Sequence, residues 1–284
     1  MLDPKTKMAM DLLLEQVGNS FKDLVVLIQK LLSKEGCPWD REQTNDSIKA
    51  NTIEEAYEVV EAIDNKDFGE LKKELGDLLL HVVFHTQIAE EENHFTIDDV
   101  IDSIQEKLIR RHPHVFGETK VADSNDVKKN WEEIKLSEGR ESVLDGVPHK
   151  LPALQRAHRL QEKAAKVGFD WEKKEDVWKK VIEEIEEMHE IENIKFQTSV
   201  KKDLKELNLK LEKEVGDVFF ALVNYARFLG INPEDALRLT NEKFIKRFNY
   251  VQQKVRETGK AINESNLEEM DKFWNESKKL NGFD

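Results

Sequence analysis

Two stretches of the chain, LKKELGDLLL at 71–80 and LEKEVGDVFF at 211–220, repeat one pattern: a carboxylate, a glycine and a second carboxylate ahead of an apolar run. Around them the second half of the chain retraces the first in order. An acidic helix is followed by one carrying E-x-G-D, then by one with a Lys/Arg pair, then by a tryptophan. QEKLIRRH (105–112) lines up with NEKFIKRF (241–248), and Trp131 and Trp274 follow. Such self-similarity marks an internal duplication. The chain is therefore expected to build one helical unit twice.

The periodicity within each copy is helical. Leu24, Val25, Leu27, Ile28, Leu31 and Leu32 fall on one helical stripe. EGCPWD ends that helix, and Asp40 with Gln43 resembles a capping box for the next. Helices are expected near 52–64, 68–92, 97–111 and 124–137, then near 153–167, 173–195, 200–229, 233–256 and 266–279. No strand is expected, because the β-branched residues sit in helical register. The segment from Ser137 to Pro152 holds Gly139, Gly146, Pro148 and Pro152 and reads as a linker. The expected organisation is an N-terminal extension at 1–18, a first repeat at 19–136, the linker at 137–152 and a second repeat at 153–284. The fold class is all-α: tandem duplicated helical bundles with an acidic groove in each.

Composition narrows the function. Of 284 residues, 36% are charged and 39% apolar, while glycine and proline are scarce, which suits helices with solvated outer faces. A formal net charge of −14 argues against broad binding of nucleic acid or an anionic membrane. An anionic small substrate would need a local basic patch or a bound cation. Cys37 is the single cysteine, so no intrachain disulfide can form, and it reads as a packing residue. Apolar runs such as Val218–Val223 are far short of the ~20 residues that span a bilayer. The opening MLDPKTKMAM lacks the order of a secretory signal, so a soluble cytoplasmic chain is expected.

The acidic pattern asks for a reason. Glycine inside a helix costs about 1 kcal/mol relative to alanine, and carboxylates three residues apart repel on one helical face. At helical spacing, Glu74 and Asp77 form a stripe beside the apolar arc of Leu71, Leu75, Leu78, Leu79 and Val82. Glu214 and Asp217 stand in the same relation to Leu211, Val215, Val218, Phe219 and Leu222. On the preceding helices Glu55 and Glu58 border Ala56, Val59, Val60 and Ile63, and Glu184 and Glu187 border Val181, Ile185 and Met188. If the two helices pack antiparallel through those arcs, four carboxylates line one groove. Some would then have to protonate, unless a hard divalent cation offsets their charge. Magnesium prefers carboxylate oxygens and is usually completed by substrate phosphates, with Mn²⁺ as the alternative ion. Gly76 and Gly216 would mark a close approach of backbone or ligand. A plainer account is also open: among 58 acidic residues such spacings arise on solvated faces by chance, and Thr52 with Glu55 fits a capping box.

Basic residues complete the pattern. Lys243 and Arg247 are one helical turn apart and border Leu237, Phe244 and Phe248; Lys107 and Arg111 do likewise in the first half. Cations beside a bound metal suit a triphosphate. Lys210 lies on the Glu214 stripe one turn earlier, where the first half has Glu70. Trp131 and Trp274 are placed either to stack a base or to fill a core.

Five segments carry a resemblance: NTIEEAYEVVEAI, ELGDLLLHVVFHTQ, KLIRRHPHVFG, LPALQRAHRLQEKAAKVGFDW and EVGDVFFALVNYARFLG. They resemble the MazG family of nucleoside triphosphate pyrophosphohydrolases, over nearly the whole chain after about residue 18. The family's E-E-x-x-E followed by E-x-x-D is matched by Glu54, Glu55, Glu58, Glu74 and Asp77, and again by Glu183, Glu184, Glu187, Glu214 and Asp217. The resemblance implies an all-α, usually dimeric enzyme that uses Mg²⁺ to cleave nucleoside triphosphates to monophosphate and pyrophosphate. It implies that the second repeat is the main catalytic one, with Lys210, Lys243, Arg247 and Trp274 contacting phosphate and base. Lys107, Arg111 and Trp131 are the second-site candidates. His81, His85, His112 and His114 receive no role from it and read as helix-packing or turn residues.

Two rivals remain at this stage. A carboxylate-bridged di-iron bundle needs E-x-x-H on two helices, and only Glu186 with His189 supplies one in the acidic helices, Tyr57 and Val60 standing at the matching positions. A helical interaction module would use its acidic grooves for solubility alone.

Overall fold

The computed structural model describes residues 20–123, 126–127, 130–131, 134, 142–197 and 200–280, with backbone alone at 201–202. The proposed extension at 1–18 and residues 137–141 of the proposed linker lie outside the described residues. The chain divides into two units, Met1–Ile134 and Lys135–Asp284. Among the described residues every regular element is helical.

The first unit opens with α1 (Phe21–Leu32), whose N-terminus is closed by a capping box of Ser20 and Asp23. After the one-turn α2 (Pro38–Arg41) comes α3 (Asn45–Asp64). Here the structure corrects the expected caps. Asp40 lies within α2, and α3 is capped by Thr44 and Ser47 in a reciprocal box. Thr52 and Glu55 are interior to α3, so neither caps; the Thr52 hydroxyl lies 3.3 Å from the Ile48 carbonyl and 2.8 Å from His85 Nε2. A tight turn through Lys66, at φ 55°, reverses the chain into α4 (Phe68–Glu91), which starts on the Asp67 carboxylate. Then follow α5 (Ile97–Arg111), boxed by Thr96 and Asp99, and α6 (Pro113–Phe116). The core is Val25, Ile28 and Leu32 of α1, Ile48 of α3, and Val83, Phe84 and Ile88 of α4.

The second unit runs α7 (Ala153–Lys166), α8 (Lys174–Gln197), α9 (Lys201–Phe228), α10 (Pro233–Glu257), a 3₁₀ turn at Ile262–Glu264, and α11 (Leu267–Ser277). Val177, Val181, Ala221, Val223, Val251 and Val255 are buried between them. Polar ties fix the neighbours of the central α8–α9 pair. The Gln161 amide on α7 donates to the Phe220 carbonyl at 2.8 Å. Arg227 near the end of α9 grips Asp170 in the turn before α8. Lys163, itself buried, donates to the carbonyls of Val143 and Asp145.

The apolar arcs are not the surfaces through which these helix pairs close. Leu75 is 50% exposed, and Leu79 and Val82 are also open, whereas Glu74 is 8% exposed. In the second unit Phe219 is 56% exposed and Leu222 is open, whereas Glu184 is 7% exposed. Each pair therefore encloses one carboxylate, Glu74 or Glu184, and leaves part of its apolar arc outward, while Val181 is buried and Leu71, Leu78, Val215 and Val218 are half-buried. The close approach expected at the glycines is absent within the chain: a Cβ at Gly76 or Gly216 would meet nothing within 4 Å. Gly216→Ala should therefore raise the melting temperature of the metal-free protein by about 2–4 °C, the effect of roughly 1 kcal/mol in a chain of this size. A fall in melting temperature, read by circular dichroism, would show that something outside the chain presses on that spot.

Candidate functional site

The site is built from the helix pair of each unit. In α3–α4, Asn45 and Thr52 meet His85, Glu55 meets His81, and Glu58 meets Glu74, so the two helices run antiparallel. One carboxylate oxygen each from Glu55, Glu58 and Glu74 lie mutually within 4.8 Å. In the α8–α9 pair, Glu184, Glu187 and Glu214 form the same trio within the same limit. Three carboxylates at that range are strongly repulsive when all are charged. Burial first, then hydrogen bonds that the protonated Glu74 carboxyl donates to Glu70 and Glu58, push it up to about 7. Burial and then the charges of Glu58 and Asp77 raise Glu55, and burial and then Glu184 raise Glu187.

The fourth expected carboxylate of each set stands outside the tight trio. Asp77 still acts on Glu55 through its charge, and Asp217 is exposed on α9. The donor chemistry of each trio, oxygen-only and partly buried, fits a hard divalent cation in the Mg²⁺ class.

The basic and aromatic candidates form a second set in each unit. Arg247 lies over the Trp274 ring at 6.0 Å, and Phe244 packs on Trp274 with centroids 5.3 Å apart. Lys243 is half-buried on α10 with no ion-pair partner among the described residues. The first unit repeats the geometry, with Arg111 over Trp131 at 5.8 Å and His112 edge-on to the same ring; Lys107 is exposed on α5. Lys210, expected on the acidic stripe, pairs with Glu206 at 3.1 Å. Its counterpart Glu70 pairs with Lys73, which offsets part of the charge difference expected between the repeats.

A different cation enters the second trio. Lys180 Nζ stands 2.7 Å from Glu184 Oε1 and 2.7 Å from Glu183 Oε1, and those bonds hold its ammonium well above the usual lysine range. Aligning Glu184 with Glu55 puts Asn51 at the matching place. The signal was present in the sequence as a Lys one helical turn before Glu184. Taken alone that spacing is also what any solvated helix face offers, and only the enclosed Glu184 distinguishes it.

Duplicated acid-lined helix pairs, each followed by an arginine stacked on a tryptophan, define the class. Comparison gives it a name. The MazG nucleotide pyrophosphohydrolase domain matches residues 43–116 and 172–252. The chain is 43% identical over 268 residues to the nucleoside triphosphate pyrophosphohydrolase/pyrophosphatase MazG of Thermotoga maritima, covering 93% of this chain and 98% of that protein. It is 43% identical over 267 residues to the nucleoside triphosphate pyrophosphohydrolase of Escherichia coli K12, covering 92% and 98%. It is 50% identical over 263 residues to the uncharacterized protein YabN of Bacillus subtilis, covering 92% of this chain and 52% of that longer one. The chain belongs to the MazG nucleotide pyrophosphohydrolase family.

The Glu74 carboxyl makes stability pH-dependent in a definite direction. Its folded value is raised above the ordinary 4.5, so the folded state keeps a proton that the unfolded state releases. The stability this contributes is present below about 4.5 and is lost as pH rises through about 7. In metal-free protein the urea midpoint should fall between about pH 5 and about pH 7.5 more steeply for wild type than for Glu74→Gln. Equal slopes would show that Glu74 titrates as an ordinary carboxylate.

Proposed function

We propose that this chain hydrolyses nucleoside triphosphates, ribo or deoxy and including non-canonical bases, to nucleoside monophosphate and pyrophosphate in a Mg²⁺-dependent reaction. The observation that carries the reading is the second trio, Glu184, Glu187 and Glu214, with Lys180 held against it. The names of the relatives and membership of the family support the same reaction. The carboxylates of each trio would hold a divalent cation, Mg²⁺ or alternatively Mn²⁺, which would supply charge neutralisation for the triphosphate. The protein's own side chains do the rest. Asp217, outside the trio, orients the attacking water and accepts its proton. Lys243 and Arg247 hold the departing pyrophosphate, with Lys210 on the same path, and Trp274 offers its ring to the base.

Catalysis belongs to the second unit in this reading. Lys180 gives its trio a positive charge that Asn51 does not give the first. Lys107, Arg111 and Trp131 leave the first unit a weaker nucleotide site. The enzyme is placed in the cytoplasm, and a net charge of −14 fits neither nucleic acid nor an anionic membrane as partner. No described helix is long and apolar enough to cross a membrane.

A second copy of the chain is the proposed partner. The exposed side chains of Leu75, Leu79 and Val82, and of Phe219, Phe220 and Leu222, offer apolar surface for it to cover. An obligate helical interface would bury upward of about 2,000 Å². Light scattering at micromolar concentration should return twice the chain mass of 33.1 kDa; a monomer mass would remove the dimer from the proposal.

Pyrophosphate release from a panel of triphosphates with added Mg²⁺ tests the reaction itself and separates it from both the di-iron and the interaction-module readings. Glu214→Ala, Glu187→Ala and Asp217→Ala should each cut turnover at least about 100-fold with helicity intact, as loss of a reacting-centre group does. Glu74→Ala should leave most of it. The reverse ranking of Glu214→Ala and Glu74→Ala would assign catalysis to the other repeat.

A further inference from the structure

The second helix pair carries acids at nearly every turn, so the repeating pattern alone does not fix its register. On α8, Glu183, Glu184, Glu186, Glu187 and Glu190 alternate with Val177, Val181, Ile185 and Met188. A slide of one turn along α9 would again set apolar against apolar and acid against acid. It would also carry Glu214 about 5.4 Å along α8. That exceeds the 4.8 Å within which the oxygens of Glu184, Glu187 and Glu214 lie. Repulsion among those carboxylates pushes the pair off this register rather than holding it there. A contact outside the repeating pattern has to set it.

Such a contact stands at the open end of the pair. Gly168, at φ 86°, follows the end of α7, and Lys174 opens α8, so Asp170 between them sets where α8 begins. Arg227 Nη1 donates to Asp170 Oδ2 at 3.0 Å and Nη2 donates to Oδ1, a two-point fork. The half-buried guanidinium is itself braced: Nε and Nη2 donate to Asn224 Oδ1 at 3.0 and 2.8 Å, and it lies over the Phe228 ring at 4.7 Å. The Asp170 carboxylate also accepts the Trp171 N–H at 2.9 Å. The first unit has a polar contact of its own at the same end, where Asn45 and Thr52 meet His85. Fixing register is the best-attested use of such a polar contact in paired helices. We propose that the Arg227–Asp170 fork pins the register of α8 on α9, which makes Arg227 a positioning residue for the trio of Glu184, Glu187 and Glu214. This rests on reading that trio as a cation site. Arg227 acts at a distance, about 20 Å along α9 from Glu214.

The test uses the full-length protein and two readouts. For the register, Cys37→Ser removes the native thiol and nitroxide labels are attached at Glu175→Cys and Asn208→Cys, both exposed. Pulsed electron paramagnetic resonance of the metal-free protein should give one narrow distance, and Arg227→Met should shift or broaden it by about 5 Å, one helical turn. For the site, Mn²⁺ is titrated into unlabelled protein. Arg227→Met should weaken one Mn²⁺ per chain at least about tenfold, the scale of losing a ligand's support, and leave the Mn²⁺ of the first trio unchanged. Turnover at saturating triphosphate should fall in step while helicity is kept. If Arg227→Met does not fold, Arg227→Lys decides, since it keeps the charge and the stem but cannot form the fork. Both readouts must move: a distance or a Mn²⁺ affinity that overlays wild type in the folded variant overturns the proposal. Glu214→Gln separates the two layers. If it abolishes the second Mn²⁺ while the Arg227 variants do not, only the pin falls; if it leaves Mn²⁺ binding untouched, the trio is not a cation site and the wider reading falls with it.

Discussion

Repulsion among carboxylates inside a helix pair is the constraint around which each unit is arranged. Glu74 and Glu184 are among the most enclosed side chains of their helices, in places where a leucine would have packed at no electrostatic cost. Burying a carboxylate beside two others disfavours the charged form, and the raised values of Glu55, Glu74 and Glu187 register that strain. The helices can hold such a trio only because other contacts keep them in place. Capping boxes at Ser20, Thr44 and Thr96 and the buried apolar ends of the pairs, Ile48 with Val83 and Phe84, or Val177 and Val181 with Val223, supply them. The stabilising contacts lie at the ends of each pair, and the destabilising ones are concentrated in the middle. That division is the usual signature of a site whose geometry is fixed by a scaffold rather than by its own interactions.

Duplication then lets the two trios diverge through single neighbours. The second gains Lys180, whose ammonium pairs with Glu183 and with Glu184 of the trio. The first gains His81 and, behind it, the Asn45–His85–Thr52 chain that ties α3 to α4 through polar contacts. In the second unit the matching place is filled by the Trp178–Tyr225 pair, with centroids 5.0 Å apart. One backbone geometry thus carries two sets of neighbours.

Much of this was legible in the sequence, because helix period and cap chemistry are local. The boundaries of α4, α5, α7 and α10 fall within a residue or two of the spacing-based expectation, since Asp67, Thr96 and Asn232 cap where a polar residue precedes an apolar period. The acidic stripe was legible too, as residues one turn apart share a face in any helix. What could not be read was the partner of each face. An apolar arc is expected inside, yet Leu75 and Phe219 face outward, because the choice of buried face depends on the shape of the neighbouring helix and of any second copy. The start of α3 was misread for a related reason: Asp40–Gln43 and Thr44–Ser47 both satisfy the local pattern, and the one-turn helix at Pro38–Arg41 decides between them.

The outward arcs and the enclosed trios belong to one solution. A helix pair that buried its leucines and phenylalanines between its own members would turn its carboxylates to solvent, where water would screen them and no cation would be held. Enclosing Glu74 and Glu184 instead lowers the local dielectric around those carboxylates, which would strengthen their pull on a cation of the proposed kind. The exposed part of the arc, Leu75 and Phe219 among it, is what the proposed second copy would cover. The unfilled space over Gly76 and Gly216, on the same helices as those arcs, leaves the covering surface free to approach the backbone. The proposed assembly and the proposed cation sites would on this account both follow from enclosing Glu74 and Glu184 within their helix pairs.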